Sequence, residues 1–188
     1  MATIIDSLTT EHALLCELFD EIGLLLPDLR TVPEVRLLSR LVEGVLSRHA
    51  DVETNLAFAA LDHAQAENGQ LTRLHQDHQE IDKFLHSATV ATVFPDAVKL
   101  LKAGLAASRK HFRREEQAVF PLVEKLFDVA DLEALGAAAP RRVASLGPHG
   151  FANALRGRLR NNRPRPIAAK TKKTPGDRRQ GGGRGERR

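Results

Sequence analysis

The chain has 188 residues, of which 42% are hydrophobic and 28% charged, with a formal net charge of +4. This composition is typical of one globular domain with enough apolar residues for a core. Its single cysteine, Cys16, excludes a disulfide framework and any CxxC zinc or redox motif. No apolar run approaches the roughly 18 residues of a membrane span, and Asp6 and Glu11 interrupt the N-terminal stretch. We therefore expect a cytoplasmic protein without a transmembrane segment.

The charge is divided unevenly along the chain. Residues 1–140 contain 13 Lys and Arg against 22 Asp and Glu, whereas residues 141–188 contain 15 against 2. From Asn161 onward almost no apolar residue interrupts a run of Arg, Lys, Gly and Pro. The sequence predicts an acidic domain over 1–140, a basic linker over 141–160 that is short helical or irregular, and a disordered tail over 161–188.

Within the acidic domain, apolar residues recur every three or four positions, the period of an amphipathic helix. The first predicted helix spans 4–26 and is ended by Pro27, and the second begins at 33, after a cap at Thr31–Glu34, and ends between 61 and 68. The other predicted helices span 71–85, 94–126 and 128–138, and the one over 94–126 is bent at Pro121. No window alternates with the period of a strand. The predicted fold is all-α, an up-down antiparallel four-helix bundle with short connections.

Polar residues repeat between the two halves of this bundle. Each half has an acidic residue followed by a histidine in its first helix and a His-x-x-x-Glu pair in its second. The members are Glu11-His12, His49 with Glu53, Asp77-His78, and His111 with Glu115. Equivalent positions are 66 residues apart in the first helices and 62 apart in the second. The repeat predicts two similar helical hairpins.

The spacing brings these side chains to one level of the bundle. Residues four apart share a helix face, so His49 and Glu53 converge. His12 and His49 both lie about 22 to 24 Å from their shared turn, at a rise of 1.5 Å per residue. Two such groups, facing each other, provide four nitrogens and two carboxylates for a pair of metal ions. The candidate ligands are His12, His49, Glu53, His78, His111 and Glu115.

Imidazole and carboxylate ligands without a thiolate favour iron or manganese over a structural zinc site, although zinc and copper stay open. We expect two iron ions, with manganese or zinc as alternatives.

His75, one turn before His78, is a candidate additional ligand; the alternatives are an outer group or an exposed side chain. We expect Cys16 to fill the core and Glu116 to be solvated. The third His-x-x-x-Glu pair, His63 with Glu67, has no facing histidine and is interpreted as a solvated helix end or loop.

The stretch 111–121, HFRREEQAVFP, together with the other His and acidic pairs, resembles the hemerythrin-like HHE cation-binding family and its HFxxEExxxFP signature. The resemblance covers roughly residues 3–127. It implies a four-helix bundle with a non-haem di-iron centre, the same six ligands, and the two glutamates as bridges. The chain departs from the oxygen-carrying hemerythrins at Leu74, where they have a histidine, and at Glu115, where they have an aspartate.

Three functional hypotheses follow. The first is a non-haem di-iron binding protein that handles or senses a small ligand such as oxygen, nitric oxide or peroxide, in oxidative or nitrosative stress. The second is a di-iron enzyme that decomposes peroxide or reduces nitric oxide, which needs proton donors near an open coordination position. The third is an interaction protein that has a structural metal site and is tethered to nucleic acid by its tail.

The basic tail suits weak, non-specific nucleic acid binding. Spaced Arg and Lys neutralise phosphates in a salt-dependent manner. No aromatic residue follows Phe151, so base stacking has no support. The alternatives are that the tail rests on its own acidic domain or only adds solubility.

Overall fold

The computed structural model describes residues 2–54 and 68–138. The linker and tail predicted over 141–188, the far end of the second predicted helix, and His63 with Glu67 lie outside the described residues. In the described part, the chain is helical apart from its short connections and contains no strand. None of these helices is long and apolar enough to cross a lipid bilayer.

The described helices follow the predicted order. They are α1 (Ile4–Leu25), α2 (Val32–Val52), α3 (Asn68–Val90), α4 (Phe94–Arg114), α5 (Phe120–Leu126) and α6 (Val129–Ala138). A 3₁₀ turn over Leu26–Asp28 joins α1 to α2. Helix α2 packs on α3, α3 packs on α4, and α4 also contacts α1. The all-α bundle is therefore confirmed.

A capping box stands at the start of each of the first two helices, α1 and α2. The Thr3 side chain accepts from the Asp6 N–H at 3.0 Å, and the Thr3 N–H donates to the Asp6 carboxylate at 2.9 Å. At the start of α2, the N–H of Thr31 donates to the Glu34 carboxylate at 2.9 Å. Each box satisfies donors that a helix start leaves without partners, which stabilises the first turn. The cap predicted at Thr31–Glu34 is confirmed.

Helix α3 is longer than the sequence predicts. The aperiodic stretch after Leu85 indicated a helix end, but α3 continues to Val90. Ala88 and Thr89 are buried, and the Thr89 hydroxyl donates to the His86 carbonyl at 2.8 Å. Burial of this last turn outweighs the weak helix propensity of its β-branched residues.

The chain remains helical through Pro121, as predicted, but with a local change of geometry. Residues Glu115–Val119 form a π-helical turn, in which the Phe120 N–H donates to the Glu115 carbonyl. Pro121 has no N–H to donate, so the regular bonding pattern is interrupted here. A π-helical turn also occurs at Glu53, which is the equivalent position of the first hairpin.

The apolar core consists of two clusters. The turn-side cluster lies toward the α1–α2 and α3–α4 connections and includes Leu15, Phe19, Leu38, Leu46, Ile81, Leu85, Leu101 and Phe112. The terminal-side cluster lies toward the start of α1 and includes Ile4, Leu8, Val52, Leu74, Val119, Val123 and Leu132. In α1, α2 and α3 a histidine lies between the residues of the two clusters, and His111 lies near the end of α4, between Leu105 of the first cluster and Val119 of the second. A buried polar layer therefore separates them.

Candidate metal centre

Each of the four long helices places one histidine in this polar layer. His12 comes from α1, His49 from α2, His78 from α3 and His111 from α4. The side chains of His12, His49 and His111 are at most 2% exposed, and that of His78 is 18% exposed. The layer is therefore closed to water except beside His78.

The histidines meet in two pairs, one in each hairpin. The Nε2 atoms of His12 and His49 are 3.1 Å apart, and those of His78 and His111 are 2.9 Å apart. All four Nε2 atoms therefore point inward, toward the same small volume.

Two buried glutamates connect the pairs. The Oε1 atom of Glu53 is 3.5 Å from His12 Nε2, and its Oε2 atom is 3.2 Å from His78 Nε2. The Oε2 atom of Glu115 is 3.3 Å from His12 Nε2 and 3.4 Å from His111 Nε2. Each carboxylate thus reaches a histidine of both hairpins. This is the arrangement that bridging carboxylates have in two-metal helical bundles.

The six side chains form two overlapping groups with the geometry of metal sites. One group contains His12, His49, Glu53 and Glu115, and the other contains Glu53, His78 and His111, with the ligand atoms of each group within 4.8 Å of one another. Glu53 belongs to both. All six residues predicted as ligands are therefore brought together.

The carboxylates of Glu53 and Glu115 are fully buried, and none of their four oxygens has a hydrogen-bond partner among the described residues. Imidazole nitrogens lie close to them, but without hydrogen-bond geometry. Buried carboxylate oxygens without donors are costly, and coordination of a metal ion is a common way to satisfy them. The donor set therefore fits a bound cation.

Without a metal, the layer holds protons. Burial opposes the charged form of His12, but the nearby carboxylates of Glu115 and Glu53 outweigh it and raise the pKa of His12 to about 9. Burial also opposes ionisation of Glu53, yet the surrounding imidazoles, His111 first, hold its pKa well below the usual range. Burial and repulsion from Glu53 raise the pKa of Glu115. A bound cation would replace these protons and neutralise the same glutamate carboxylates.

Acidic residues contact the outer nitrogens of three histidines. The Nδ1 atom of His49 lies 2.9 Å from the Glu11 carboxylate, and Nδ1 of His12 lies 2.9 Å from the Glu116 carboxylate. Carboxylates in this position fix the ring orientation and leave Nε2 available to a metal.

The third contact belongs to the second hairpin. Nδ1 of His111 lies 3.7 Å from the Asp77 carboxylate, too far for a hydrogen bond, and this carboxylate pairs with Arg114. Glu11 and Asp77 each precede a histidine, yet each approaches the histidine of the adjacent helix. The Glu11-His12 and Asp77-His78 repeat was the only sequence signal for these outer contacts.

Two neighbouring residues, Glu116 and His75, were singled out in the sequence. Glu116 is 40% exposed, as expected, and its carboxylate also contacts His12, because α1 packs against this part of the chain. His75 is exposed and belongs to neither group of ligand atoms. Leu74, four residues before His78, takes the inward position of that turn and is fully buried. Cys16 packs against the turn-side cluster with intermediate exposure.

A four-helix bundle with this buried set of histidines and carboxylates defines a metal-binding helical protein. A sequence profile of the hemerythrin HHE cation binding domain matches residues 3–123, and the chain belongs to that family. Comparison with curated proteins and with solved structures gave no significant match.

Proposed function

We propose that the chain binds two iron ions in this layer and handles or senses a small ligand such as oxygen, nitric oxide or peroxide. The observation that carries the proposal is the pair of buried carboxylates whose four oxygens accept no hydrogen bond from the described residues. Both carboxylates contact histidines of both hairpins. Two cations sharing these carboxylates would satisfy all four oxygens.

The choice of iron follows from the donor atoms. The two groups of ligand atoms contain imidazole nitrogens and carboxylate oxygens, and Cys16 belongs to neither. Such a set suits iron or manganese better than a structural zinc site. Iron bound here would supply redox chemistry and coordination positions for a small ligand.

The protein would hold the metal in a fixed and dry environment. The turn-side and terminal-side clusters cover the polar layer above and below. Glu11 and Glu116 fix the rings of His49 and His12 through their Nδ1 atoms. The chain therefore has both a water-excluding shell and outer contacts that orient ligands.

The experiment is metal analysis of protein produced with ample iron, with about two irons expected per chain. His49→Ala and Glu53→Ala should lose most of this iron, because each removes a buried ligand. His86→Ala is the matched control, since His86 is exposed on α3 and outside both groups of ligand atoms. Much less iron in the wild-type protein, with folding unchanged in His49→Ala, would argue for the interaction-protein hypothesis instead.

The binding role and the enzymatic alternative make different predictions for peroxide. If the chain carries or senses its ligand, the iron-loaded protein should evolve oxygen from peroxide no faster than free iron at equal concentration. Faster evolution that is lost in Glu53→Ala would favour the peroxide-decomposing enzyme.

A further inference from the structure

Two openings approach the polar layer from the surface. A cleft of about 320 Å³ lies between α1 and the end of α4 and is lined by Ala13, Cys16, Arg109 and Glu116. A much smaller cavity, of about 20 Å³, lies between α2 and α3 beside the rings of His49, His78 and His111. The two openings differ in what they reach.

The larger cleft ends at the back of the His12 ring. Phe112 stacks on that ring with centroids 4.2 Å apart. The Nδ1 atom on this side is occupied by Glu116, whereas Nε2 faces the inner cluster. A molecule in this cleft therefore meets a closed wall of aromatic rings and a carboxylate.

Phe112 also lines the smaller cavity, but on its α2 side this cavity has Ala50 instead of a ring, and the internal repeat explains why. Ala50 follows His49 as Phe112 follows His111, so the two residues occupy equivalent positions 62 residues apart. Phe112 is buried and covers His12, but Ala50 is too short to cover His78 in the same way. The cavity lies beside Ala50, and His78, at 18%, is the only one of the six candidate ligands whose side chain is more than 2% exposed.

On the basis of the proposed di-iron centre, we propose that Ala50 and Asp82 form the opening through which its ligand enters, and that this opening selects small neutral molecules. A cavity must hold about 10–15 Å³ to accept one water-sized probe. The cavity, at about 20 Å³, therefore has room for little more than one water-sized molecule, which suits a diatomic gas or hydrogen peroxide better than a larger substrate.

Charge adds a second criterion. Asp82 is exposed and lines the cavity, one turn after His78. A carboxylate at a narrow opening repels anions, most strongly at low salt, and leaves neutral molecules unaffected. The cavity walls otherwise include the apolar side chains of Leu46 and Ile81. Nitric oxide, oxygen and undissociated peroxide meet both criteria.

The size criterion is tested by adding the same bulk at each opening. Ala50→Phe narrows the small cavity, and Ala13→Phe adds a matched ring to the larger cleft. Nitric oxide binding to the ferrous-loaded protein is followed by stopped-flow absorbance, with iron content measured on the same samples. Ala50→Phe should slow association about tenfold or more, a barrier increase of about 1.4 kcal/mol, and Ala13→Phe should leave it unchanged.

Equal rates for the wild type and Ala50→Phe, at equal iron content, overturn the proposed entrance while leaving the di-iron centre intact. Slowing by Ala13→Phe alone assigns entry to the larger cleft and also overturns it. If Ala50→Phe fails to fold or to load iron, Ala50→Val and Ala50→Gly replace it, and association must be slower in the first and no slower in the second. Absence of iron in the wild type overturns both proposals.

The charge criterion is tested with azide and nitric oxide. Asp82→Asn should speed azide association with the ferric-loaded protein at low salt and leave nitric oxide association with the ferrous-loaded protein unchanged. Glu80→Gln is the control, because Glu80 is exposed on the same helix and does not line the cavity. Equal acceleration by both variants, or no acceleration by Asp82→Asn, overturns the selection by charge.

Discussion

Glu11 lies beside His12 in the sequence, yet its carboxylate contacts the His49 ring on the adjacent helix, with 2.9 Å between Oε2 and Nδ1. The contact joins α1 to α2 at the level of the polar layer. It also directs the other nitrogen of His49 toward His12 and Glu53.

We expect Glu11→Gln to weaken metal binding about 10- to 100-fold, because loss of an outer carboxylate lowers the basicity of the coordinating ring and loosens its orientation. The measurement is competition for iron against a chelator of known affinity. Glu17→Gln is the control, since Glu17 is exposed on the same helix. Equal affinities for the two variants would show that the Glu11 contact has no role in binding.

Glu115→Gln is expected to have opposite effects with and without metal. Burial and repulsion from Glu53 raise the pKa of Glu115, so its ionised form destabilises the metal-free fold. A raised carboxyl pKa means that stability is lost as pH rises from the unfolded value through the folded one. The neutral amide should therefore raise the unfolding temperature of the chelator-treated protein near neutral pH while reducing iron content. Thermal unfolding with chelator and with iron measures both effects.

Gly136 allows α6 to pack closely against the start of α1. A methyl group added to it would lie 2.7 Å from the Ala2 carbonyl oxygen and 2.9 Å from the Ile4 nitrogen. We expect Gly136→Ala to lower the free energy of unfolding by about 1–3 kcal/mol, because backbone must shift. Gly44→Ala, in an open position within α2, should raise it by about 0.5–1 kcal/mol. Chemical denaturation of both variants provides the test, and the same sign for the two would contradict the packing described.

A chain ending at Pro140 is expected to keep its iron. The candidate ligands lie between His12 and Glu115, and the family profile matches residues 3–123. We also propose that residues 141–188 bind nucleic acid weakly, so only the full chain should be retained on a nucleic acid column at low salt. Loss of iron on truncation would show that the domain needs its C-terminal part.

The ligand layer was predictable because helical spacing is regular. A four-residue spacing fixes a shared face, so His49 with Glu53 and His111 with Glu115 indicated both the fold and the site. The antiparallel connection between the first two helices then placed His12 at the level of His49, and the internal repeat extended the same arrangement to His78 and His111. The predicted ligand roles themselves await the metal analysis proposed above.

Contacts between helices were harder to predict, because they depend on how the helices are rotated and packed. Nothing in the spacing indicated that the Glu116 carboxylate would contact His12, or that Leu74 would be buried and His75 exposed. The end of α3 was placed too early because the sequence shows only the weak helix propensity of Thr89 and Val90. The burial of Ala88 and Thr89, which stabilises this last turn, depends on packing against other helices. The repeat aligns Ala50 with Phe112, but only the packed structure shows that the Phe112 ring stacks on His12 while Ala50 leaves an opening beside His78.

The layer of buried charge between the two apolar clusters also bears on how long the protein survives in a cell. Among the described residues the terminal-side cluster is the smaller of the two, and the His and Glu layer lies between it and the turn-side cluster. A metal that binds only the folded chain stabilises it in proportion to its supply. Proteases act on the unfolded fraction. With the proposed iron bound, the abundance of this protein would therefore follow iron availability even at constant synthesis.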